Sequence, residues 1–260
     1  MFVGIDIGSV TTKALIIDEQ GSIVSFSLMP TSHDRNQSAE SSLELALSKA
    51  GKSRDAIRYI ASTGYGRRSF TASNNVLPEI ICHAEGTKFL FPAARTIIDI
   101  GGQDSKVMEL DEEGRVFKFE MNDKCAAGTG RFLEVLTDRI LNIPLDELGP
   151  LSLECKNPCI LSSVCTVFAE SEIVSYLSQS RNRADIVCGM NKAIAKRVIG
   201  MGTAGLIRYK DPIIFSGGVA KNIGVVKAIE EELNKKVITP KEPQITAALG
   251  AAIFARGYST

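Results

Sequence analysis

Apolar residues in the first 30 positions fall into three short runs, and turn-forming residues separate each run from the next. The first run ends at Gly8, and the second is followed by an acidic turn that runs from Asp18 to Gly21. Short runs rich in Ile and Val that are bounded by Gly and Asp are typical of β-strands joined by tight turns. The pattern therefore predicts three consecutive strands at the start of the chain.

The same pattern returns 93 positions further along the chain. The sequence Ile-Asp-Ile-Gly occurs at 5–8 and again at 98–101, and Lys13 falls on Lys106. Without a gap, nine of the 22 positions that start at Ile5 are identical in the two copies. Self-similarity at a fixed spacing indicates a duplicated structural unit. Chance is a poor explanation, because the turns of the two copies also keep their register.

Helical and strand patterns alternate after each copy. Short apolar strands are predicted at 57–62 and 213–216. Apolar positions recur with helical spacing at 40–50, 79–89, 126–140, 167–178, 184–203, 225–233 and 245–255. Three strands followed by alternating helices and strands, used twice, predict an α/β protein with two similar lobes and a cleft between them. We assign 1–94 to lobe I and 95–244 to lobe II, and we expect the C-terminal helix, 245–260, to pack back on lobe I.

Composition narrows the class of protein further. The 260 residues carry 30 basic and 30 acidic side chains, so there is no basic surface for nucleic acid. No run approaches the roughly 20 apolar residues that cross a bilayer, and the chain enters its first strand without a signal-like segment, which predicts a cytoplasmic protein. His33 and His83 have no zinc-site or triad spacing, and we interpret them as structural. In a reducing compartment the six cysteines are open to metal binding, redox chemistry or burial.

Each copy places an aspartate and a glycine turn directly after its first strand. Glycine lets the backbone approach a ligand closely, and successive N–H groups form a cradle for phosphate oxygens. A carboxylate at a strand end suits Mg²⁺, directly or through water. We therefore predict that Asp6 and Asp99 position Mg²⁺ and that Gln103 and Asp104 orient an attacking water. Phosphate contacts are predicted for Gly8, Ser9, Thr11, Thr12, Lys13, Gly101 and Gly102.

The alternative is two ordinary hairpins with capping aspartates. Two copies in register favour the nucleotide site, and so does a third glycine element at 216–222, which ends an apolar strand and opens a helix. Gly217, Gly218 and Asn222 of this element are predicted to contact the nucleoside. Phosphate-1, phosphate-2 and adenosine elements in this order resemble the acetate and sugar kinase/Hsp70/actin superfamily. That resemblance implies two duplicated ribonuclease H-like lobes with an ATP cleft between them.

Two cysteines stand directly before predicted helices: Cys125 before 126–140 and Cys165 before 167–178. A helix N-terminus lowers a thiol pKa and stabilises an anionic, thiolate-ligated cluster. Two cysteines per chain are too few for a four-iron cluster, but a two-fold homodimer supplies four. The alternative is that both are packing residues at helix starts, since free cysteine is often simply buried.

The sequences around these cysteines, 121–132 and 162–172, closely resemble the ATP-dependent activators (component A) of 2-hydroxyacyl-CoA dehydratases. The ATPase subunits of benzoyl-CoA reductase and the reductase of the double-cubane cluster protein are relatives in the same family. The resemblance implies a homodimer with one [4Fe–4S] cluster between the subunits, ligated by Cys125 and Cys165. It also implies that a ferredoxin or flavodoxin supplies the electron and that ATP hydrolysis drives it into an iron–sulfur acceptor enzyme, without a membrane or nucleic acid partner.

Other assignments stay open at this point. Cys155 and Cys159 form a C-x₃-C-x₅-C run with Cys165, so an intrachain cluster or zinc are alternatives. Packing is the expected role of Cys82 and Cys188. A small-molecule kinase and an actin-like filament protein are the rival functions on the same fold, because a fold alone does not fix a function. The identity of the acceptor enzyme is not encoded in any motif of the chain.

Overall fold

The computed structural model describes residues 1–161 and 165–259. The chain divides into two compact units. Unit 1 comprises Met1–Ala94, Leu110–Val116 and Gln244–Thr260, and unit 2 comprises Arg95–Glu109 and Phe117–Pro243.

Unit 1 is built on a five-stranded sheet with the order β3-β2-β1-β4-β5. β1 pairs with β2 in antiparallel and with β4 in parallel orientation. The strands are β1 (Phe2–Ile7), β2 (Thr11–Ile17), β3 (Ile23–Pro30), β4 (Tyr59–Thr63) and β5 (Asn75–Val76), and the helices are α1 (Arg35–Ala50), α2 (Glu79–Leu90) and α8 (Thr246–Tyr258).

Both faces of this sheet are covered, as alternating side chains along β1 require. Val3 and Ile5 pack with Leu43 of α1 on one face, whereas Phe2 packs with Ala248 of α8 on the other. The approach of α8 to the sheet depends on Gly4, because a Cβ there would overlap the Ala248 carbonyl. The C-terminal helix therefore belongs to the core of unit 1.

Unit 2 repeats the arrangement with the sheet order β10-β9-β6-β7-β8. β6 pairs with β7 in antiparallel and with β9 in parallel orientation, as β1 does with β2 and β4. The elements are β6 (Thr96–Ile100), β7 (Ser105–Leu110), β8 (Val116–Asn122), α3 (Gly130–Leu136), α4 (Leu148–Leu153), α5 (Thr166–Ser178), α6 (Arg183–Ala204), β9 (Ile213–Ser216), α7 (Ile223–Leu233) and β10 (Val237–Ile238). The shared order confirms that the two copies in the sequence are two copies of one structural unit.

One predicted helix differs clearly from the observed one. The pattern at 126–140 predicts a continuous helix, but α3 begins at Gly130 and a π-helical turn, Thr137–Leu141, follows it. Gly128 has a φ of +84°, which an α-helix does not accept. Cys125 is consequently not adjacent to a helix, and that part of the prediction is wrong. Among the described residues, no helix is long and apolar enough to cross a membrane.

Candidate functional site

The turn between β1 and β2 carries a buried ion pair. Asp6 and Lys13 are cross-strand neighbours, and Lys13 Nζ lies 3.0 Å from Asp6 Oδ2. The turn closes through a hydrogen bond from Gly8 N to Thr11 O at 3.1 Å. The ammonium group also donates to Thr11 O at 3.2 Å, so Lys13 fixes the turn and the carboxylate together.

The second oxygen of Asp6 is available for a ligand. Asp6 is 5% exposed, and its Oδ1 has no hydrogen-bond partner among the residues that the structure describes. A buried carboxylate oxygen without a partner is uncommon and needs an explanation. A hydrated Mg²⁺ carried by a nucleotide fits this position, since Mg²⁺ takes oxygen ligands and keeps several waters. The geometry thus suits the predicted role of Asp6.

The hydroxyl residues of this turn divide into two groups. Thr12 is fully buried, and its Oγ1 lies 2.8 Å from Thr31 Oγ1, which in turn donates to Gly8 O at 3.0 Å. Ser9 and Thr11 are partly exposed. Thr12 therefore supports the turn from beneath, whereas Ser9 and Thr11 lie where a ligand can reach them. Thr31 is a supporting residue that the sequence pattern did not indicate.

Gly64 packs directly against the Asp6 carboxylate. Its φ is +89°, and a Cβ there would overlap Asp6 Oδ1 and lie 2.7 Å from Ile7 O. We expect Gly64→Ala to lower the free energy of unfolding by about 2 kcal/mol or more, from backbone strain and the clash together, and to reduce ATP hydrolysis by displacing Asp6. Thermal unfolding and phosphate release measure the two effects.

Gly51→Ala is the matched control for that variant. Gly51 has a φ of +62°, but a Cβ there would meet nothing within 4 Å. We expect a cost of about 1 kcal/mol from the left-handed backbone alone, with hydrolysis unchanged. Equal losses of hydrolysis in the two variants would remove the special role assigned to Gly64.

The turn between β6 and β7 holds a second, larger charge cluster. Lys106 Nζ lies 2.6 Å from Asp104 Oδ2 and 3.5 Å from Asp99 Oδ2, and Lys106 is 1% exposed. Ser216 Oγ at the end of β9 donates to Asp99 Oδ1 at 2.8 Å. Lys106 was not among the predicted site residues, although its alignment with Lys13 was the signal that could have found it. Both copies therefore keep an aspartate and a lysine as cross-strand neighbours.

The glycines of unit 2 come together at this turn. Gly101 N donates to Asp104 O at 2.9 Å, which closes the turn around Gly102 and leaves Gln103 exposed. Gly217 has a φ of +86°, and a Cβ there would overlap the Ile100 carbonyl at the end of β6. The predicted phosphate-2 and adenosine elements are thus packed against each other.

The observed role of Asn222 is that of a helix cap. It is the N-cap of α7, and its Oδ1 accepts hydrogen bonds from Gly224 N at 2.9 Å and Val225 N at 3.3 Å. Gly218 lies in the short 3₁₀ turn Gly218–Lys221 that leads to it. The Nδ2 of Asn222 is buried without a partner among the described residues. The predicted nucleoside contact of Asn222 therefore has a free donor.

Cys125 lies in a turn that is held by one side chain. Asn122 Oδ1 accepts from Cys125 N at 3.2 Å, and Asn122 Nδ2 donates to Cys125 O at 2.8 Å and to Ala127 O at 3.3 Å. The Cys125 thiol is partly exposed. A turn clamped at both backbone groups of the cysteine orients the thiol without a helix, and Asn122 is the residue responsible.

Cys165 occupies the position that the sequence predicts. It is the N-cap of α5 with extended backbone, and Ala169 N donates to Cys165 O at 3.2 Å. Cys165 is partly exposed, and Val167 and Phe168, two and three residues further along in the first helical turn, are 66% and 62% exposed. The residues 162–164 of the quoted motif lie outside the described part of the chain. Partly exposed thiols at Cys125 and Cys165 suit ligands that two chains share.

The other cysteines have different surroundings. Cys159 is 5% exposed and belongs to the core of unit 2, and Cys82 is fully buried in the core of unit 1. Burial, followed by hydrogen bonding to Cys188 and Asp185, raises the pKa of the Cys155 thiol to about 12. The Cys155 thiol is thereby held in its neutral form, whereas a cluster ligand is a thiolate. Within residues 1–161 and 165–259, no three cysteine sulfurs lie within 4.8 Å of one another, as a zinc site requires.

Comparison with known proteins identifies the family. Residues 3–255 match the BadF/BadG/BcrA/BcrD ATPase family. The chain is 44% identical over 252 residues to the activator of lactoyl-CoA dehydratase of Anaerotignum propionicum, covering 97% of this chain and 96% of that one.

Solved structures agree with this match. The activator of the 2-hydroxyisocaproyl-CoA dehydratase from Clostridium difficile with bound ADPNP superposes with a TM-score of 0.93 at 42% identity, over 100% of this chain and 96% of that one. A ROK family glucokinase from Streptomyces griseus, in complex with glucose and AMPPNP, shares the fold alone, with a TM-score of 0.59 at 17% identity over 98% and 99% of the two chains. The predicted actin/Hsp70/sugar-kinase fold and the predicted resemblance to the dehydratase activators are both confirmed. The chain belongs to the BadF/BadG/BcrA/BcrD ATPase family and is an ATP-hydrolysing protein, as its paired aspartate and glycine turns predict.

Proposed function

We propose that this chain is an ATP-dependent activator that passes low-potential electrons to a partner iron–sulfur enzyme. The similar activators are named for lactoyl-CoA and 2-hydroxyisocaproyl-CoA dehydratases, so a 2-hydroxyacyl-CoA dehydratase is the proposed acceptor. Enzymes of the benzoyl-CoA reductase or double-cubane type are the related alternatives. A ferredoxin or flavodoxin is the proposed electron donor.

One observation carries the proposed coupling between nucleotide and electron transfer. Gly130 N donates to Gly101 O at 2.8 Å, and Arg131 N donates to Gly102 O at 2.8 Å. The first residues of α3 are therefore attached to the phosphate-2 turn by two backbone hydrogen bonds. The turn of Cys125 immediately precedes α3, so a shift of the phosphate-2 turn displaces the cysteine segment with it.

The nucleotide step is assigned to residues of both turns. Asp6 and Asp99 position Mg²⁺, and the backbone N–H group of Gly102 donates to phosphate oxygens, whereas the N–H groups of Gly8 and Gly101 close the two turns. Positioning and electrostatic stabilisation supply nearly all of the catalysis of phosphoryl transfer. Asp104, fixed by Lys106 at 2.6 Å, and the exposed Gln103 orient the attacking water. We propose that the two lobes close on ATP and relax after hydrolysis, which makes the cleft a two-state element.

The cluster-binding role is assigned to Cys125 and Cys165 of two chains. A homodimer brings four thiols to one two-fold axis, which is the number that a [4Fe–4S] cluster takes. When bound, the cluster would supply one-electron transfer. The α5 N-terminus beside Cys165 contributes backbone N–H groups and a partial positive charge that stabilise a thiolate.

Gly130→Ala tests the coupling directly. A Cβ at Gly130 would lie 3.1 Å from Gly101 O and 3.3 Å from Gly102 Cα, so the phosphate-2 turn must move by a few tenths of an ångström. We expect partner turnover to fall by about fivefold, the effect of roughly 1 kcal/mol on a barrier, while the iron content stays at the wild-type level. Anaerobic assays of partner activation and iron measure both quantities.

Gly200→Ala is the control for an added methyl group in unit 2. Gly200 lies in α6, and a Cβ there would meet nothing within 4 Å. Alanine should stabilise this helix by about 0.5–1 kcal/mol and leave turnover unchanged. Undiminished turnover in Gly130→Ala would separate the phosphate-2 turn from electron delivery and remove the main support for the proposal.

A further inference from the structure

Unit 2 contains a cavity that the nucleotide and cluster residues do not line. It has a volume of about 220 Å³ and lies between α4, α6 and α7. Gly149 of α4 packs tightly on Asn222 and Ile223, because a Cβ at Gly149 would lie only 3.1 Å from Asn222 Oδ1. The α7 residues that line the cavity follow this contact along the chain, and Gly217, Gly218 and Asn222 do not line it.

Asn191 of α6 lines the cavity and is chemically unsatisfied. It is 1% exposed, and neither its Nδ2 nor its Oδ1 has a hydrogen-bond partner among the described residues. Buried side-chain amides are nearly always hydrogen-bonded. The unpaired donor and acceptor of Asn191 therefore indicate a place for a ligand. Gly224 leaves space beside the buried amide, because a Cβ there would overlap both Asn191 Nδ2 and Ser152 Oγ.

The rim of the cavity is positively charged. Lys156, Lys192 and Lys227 line it, against one acidic side chain, Glu231. Lys192 Nζ pairs with Glu231 at 3.0 Å. Lys156 and Lys227 have no ion-pair partner within residues 1–161 and 165–259. Two lysines without an ion pair therefore line the cavity, which favours an anionic ligand.

Two groups near the cavity affect the charge that a ligand meets, the Asp185 carboxylate and the Cys155 thiol. Asp185 does not line the cavity, and its carboxylate accepts from Asn157 N and Lys156 N, each at 2.9 Å. These hydrogen bonds lower its pKa and keep it ionised, so it offsets one of the two unpaired lysine charges and leaves the other. Burial raises the pKa of the Cys155 thiol to about 12, so this cavity-lining group stays neutral at physiological pH.

A second cavity adjoins the first and is more apolar. It has a volume of about 400 Å³ and shares Pro158, Lys192, Ala228 and Glu231 with the first cavity. Leu161 and Ala193 line it further, together with the charged Lys196 and Glu232. An anionic group in the first cavity would thus have apolar surface beside it, where a small organic substituent can pack.

We propose that these cavities bind a small phosphate monoester. Its phosphate accepts hydrogen bonds from Lys156, Lys227 and Asn191 Nδ2, its protonated oxygen donates to Asn191 Oδ1, and its organic group lies along Pro158 and Leu161. The site is separate from the nucleotide turns, and the proposal does not rest on electron transfer. Inorganic phosphate shares the head-group chemistry and is the alternative source.

Titration calorimetry with butyl phosphate and inorganic phosphate tests this site. The protein is first loaded with equimolar non-hydrolysable ATP analogue, so that the nucleotide turns are filled. We expect one further site, with butyl phosphate bound more tightly than phosphate. Asn191→Leu and Lys227→Ala should each weaken binding by about tenfold, or 1.4 kcal/mol. Lys241→Ala, an exposed lysine outside the cavity, should not change it.

Two results would overturn the proposal. One is the absence of a further site for either anion at millimolar concentration, and the other is unchanged affinity in Lys227→Ala. Lys227 is exposed, so this variant decides the matter even where Asn191→Leu fails to fold. Tighter binding of phosphate than of butyl phosphate would overturn the monoester assignment and identify free phosphate as the ligand.

Discussion

Replacing either Cys125 or Cys165 with serine is expected to abolish iron binding in anaerobically purified protein. The wild-type chain should hold about two iron atoms, half of one four-iron cluster ligated by four thiolates. In the proposed homodimer, each variant removes two of the four thiolates, because the two-fold axis repeats the change. Iron and acid-labile sulfide per chain are the quantities to measure.

The remaining cysteines supply the control for this prediction. Cys155→Ser should keep the wild-type iron content, because the Cys155 thiol is engaged with Cys188 and Asp185. Iron lost from Cys155→Ser, or about four iron atoms per wild-type chain, would instead indicate an intrachain cluster. No iron after anaerobic reconstitution would favour the small-molecule kinase.

Lys106→Met is expected to have the largest effect on stability. Lys106 lies between the carboxylates of Asp99 and Asp104 and is 1% exposed. Removing one partner from a buried ion cluster leaves uncompensated charge and costs about 3–5 kcal/mol. We expect this loss in the free energy of unfolding, measured by denaturant titration, together with loss of ATP hydrolysis.

Two further variants show whether the loss of stability comes from unpaired buried charge at Asp99 and Asp104 or from removal of a lysine as such. Lys236→Met removes a surface lysine that is 90% exposed and pairs with Glu230 at 3.0 Å, and it should cost less than about 1 kcal/mol. Adding Asp104→Asn to Lys106→Met should restore part of the stability by removing one unpaired carboxylate, without restoring hydrolysis. A loss in Lys106→Met as small as that in Lys236→Met would contradict the buried-cluster account.

Local sequence patterns were sufficient to predict the strands and turns that the two units share. Strand β9 was predicted at its observed bounds, and the cross-strand neighbours Asp6 and Lys13 recur as Asp99 and Lys106. These features are local, since they depend on short apolar runs and on turns with fixed residue types. Because the sequence repeats, a prediction made for one unit also applied to the other.

Three features that the sequence did not predict depend on non-local contacts or on backbone conformation: helix α4, the start of α3 and the contact between Cys155 and Cys188. The helix α4 contains Gly149 and Pro150, so its propensity is poor and packing on α6 and α7 must stabilise it. The late start of α3 depends on the Asn122 clamp and on the positive φ of Gly128. Nor could spacing show that Cys155 meets Cys188, because α6 brings that residue back from 33 positions further along the chain.

The most direct test of the central claim is electron delivery to a 2-hydroxyacyl-CoA dehydratase with different nucleotides. The anaerobically reconstituted protein is reduced, mixed with the dehydratase under anaerobic conditions, and given ATP, a non-hydrolysable analogue or no nucleotide. Our account predicts sustained dehydratase turnover with ATP alone, and loss of it in Asp104→Ala, whose carboxylate is held by Lys106. Equal turnover with the analogue or without nucleotide, or undiminished turnover in Asp104→Ala, would show that hydrolysis does not drive the electron and would contradict the account.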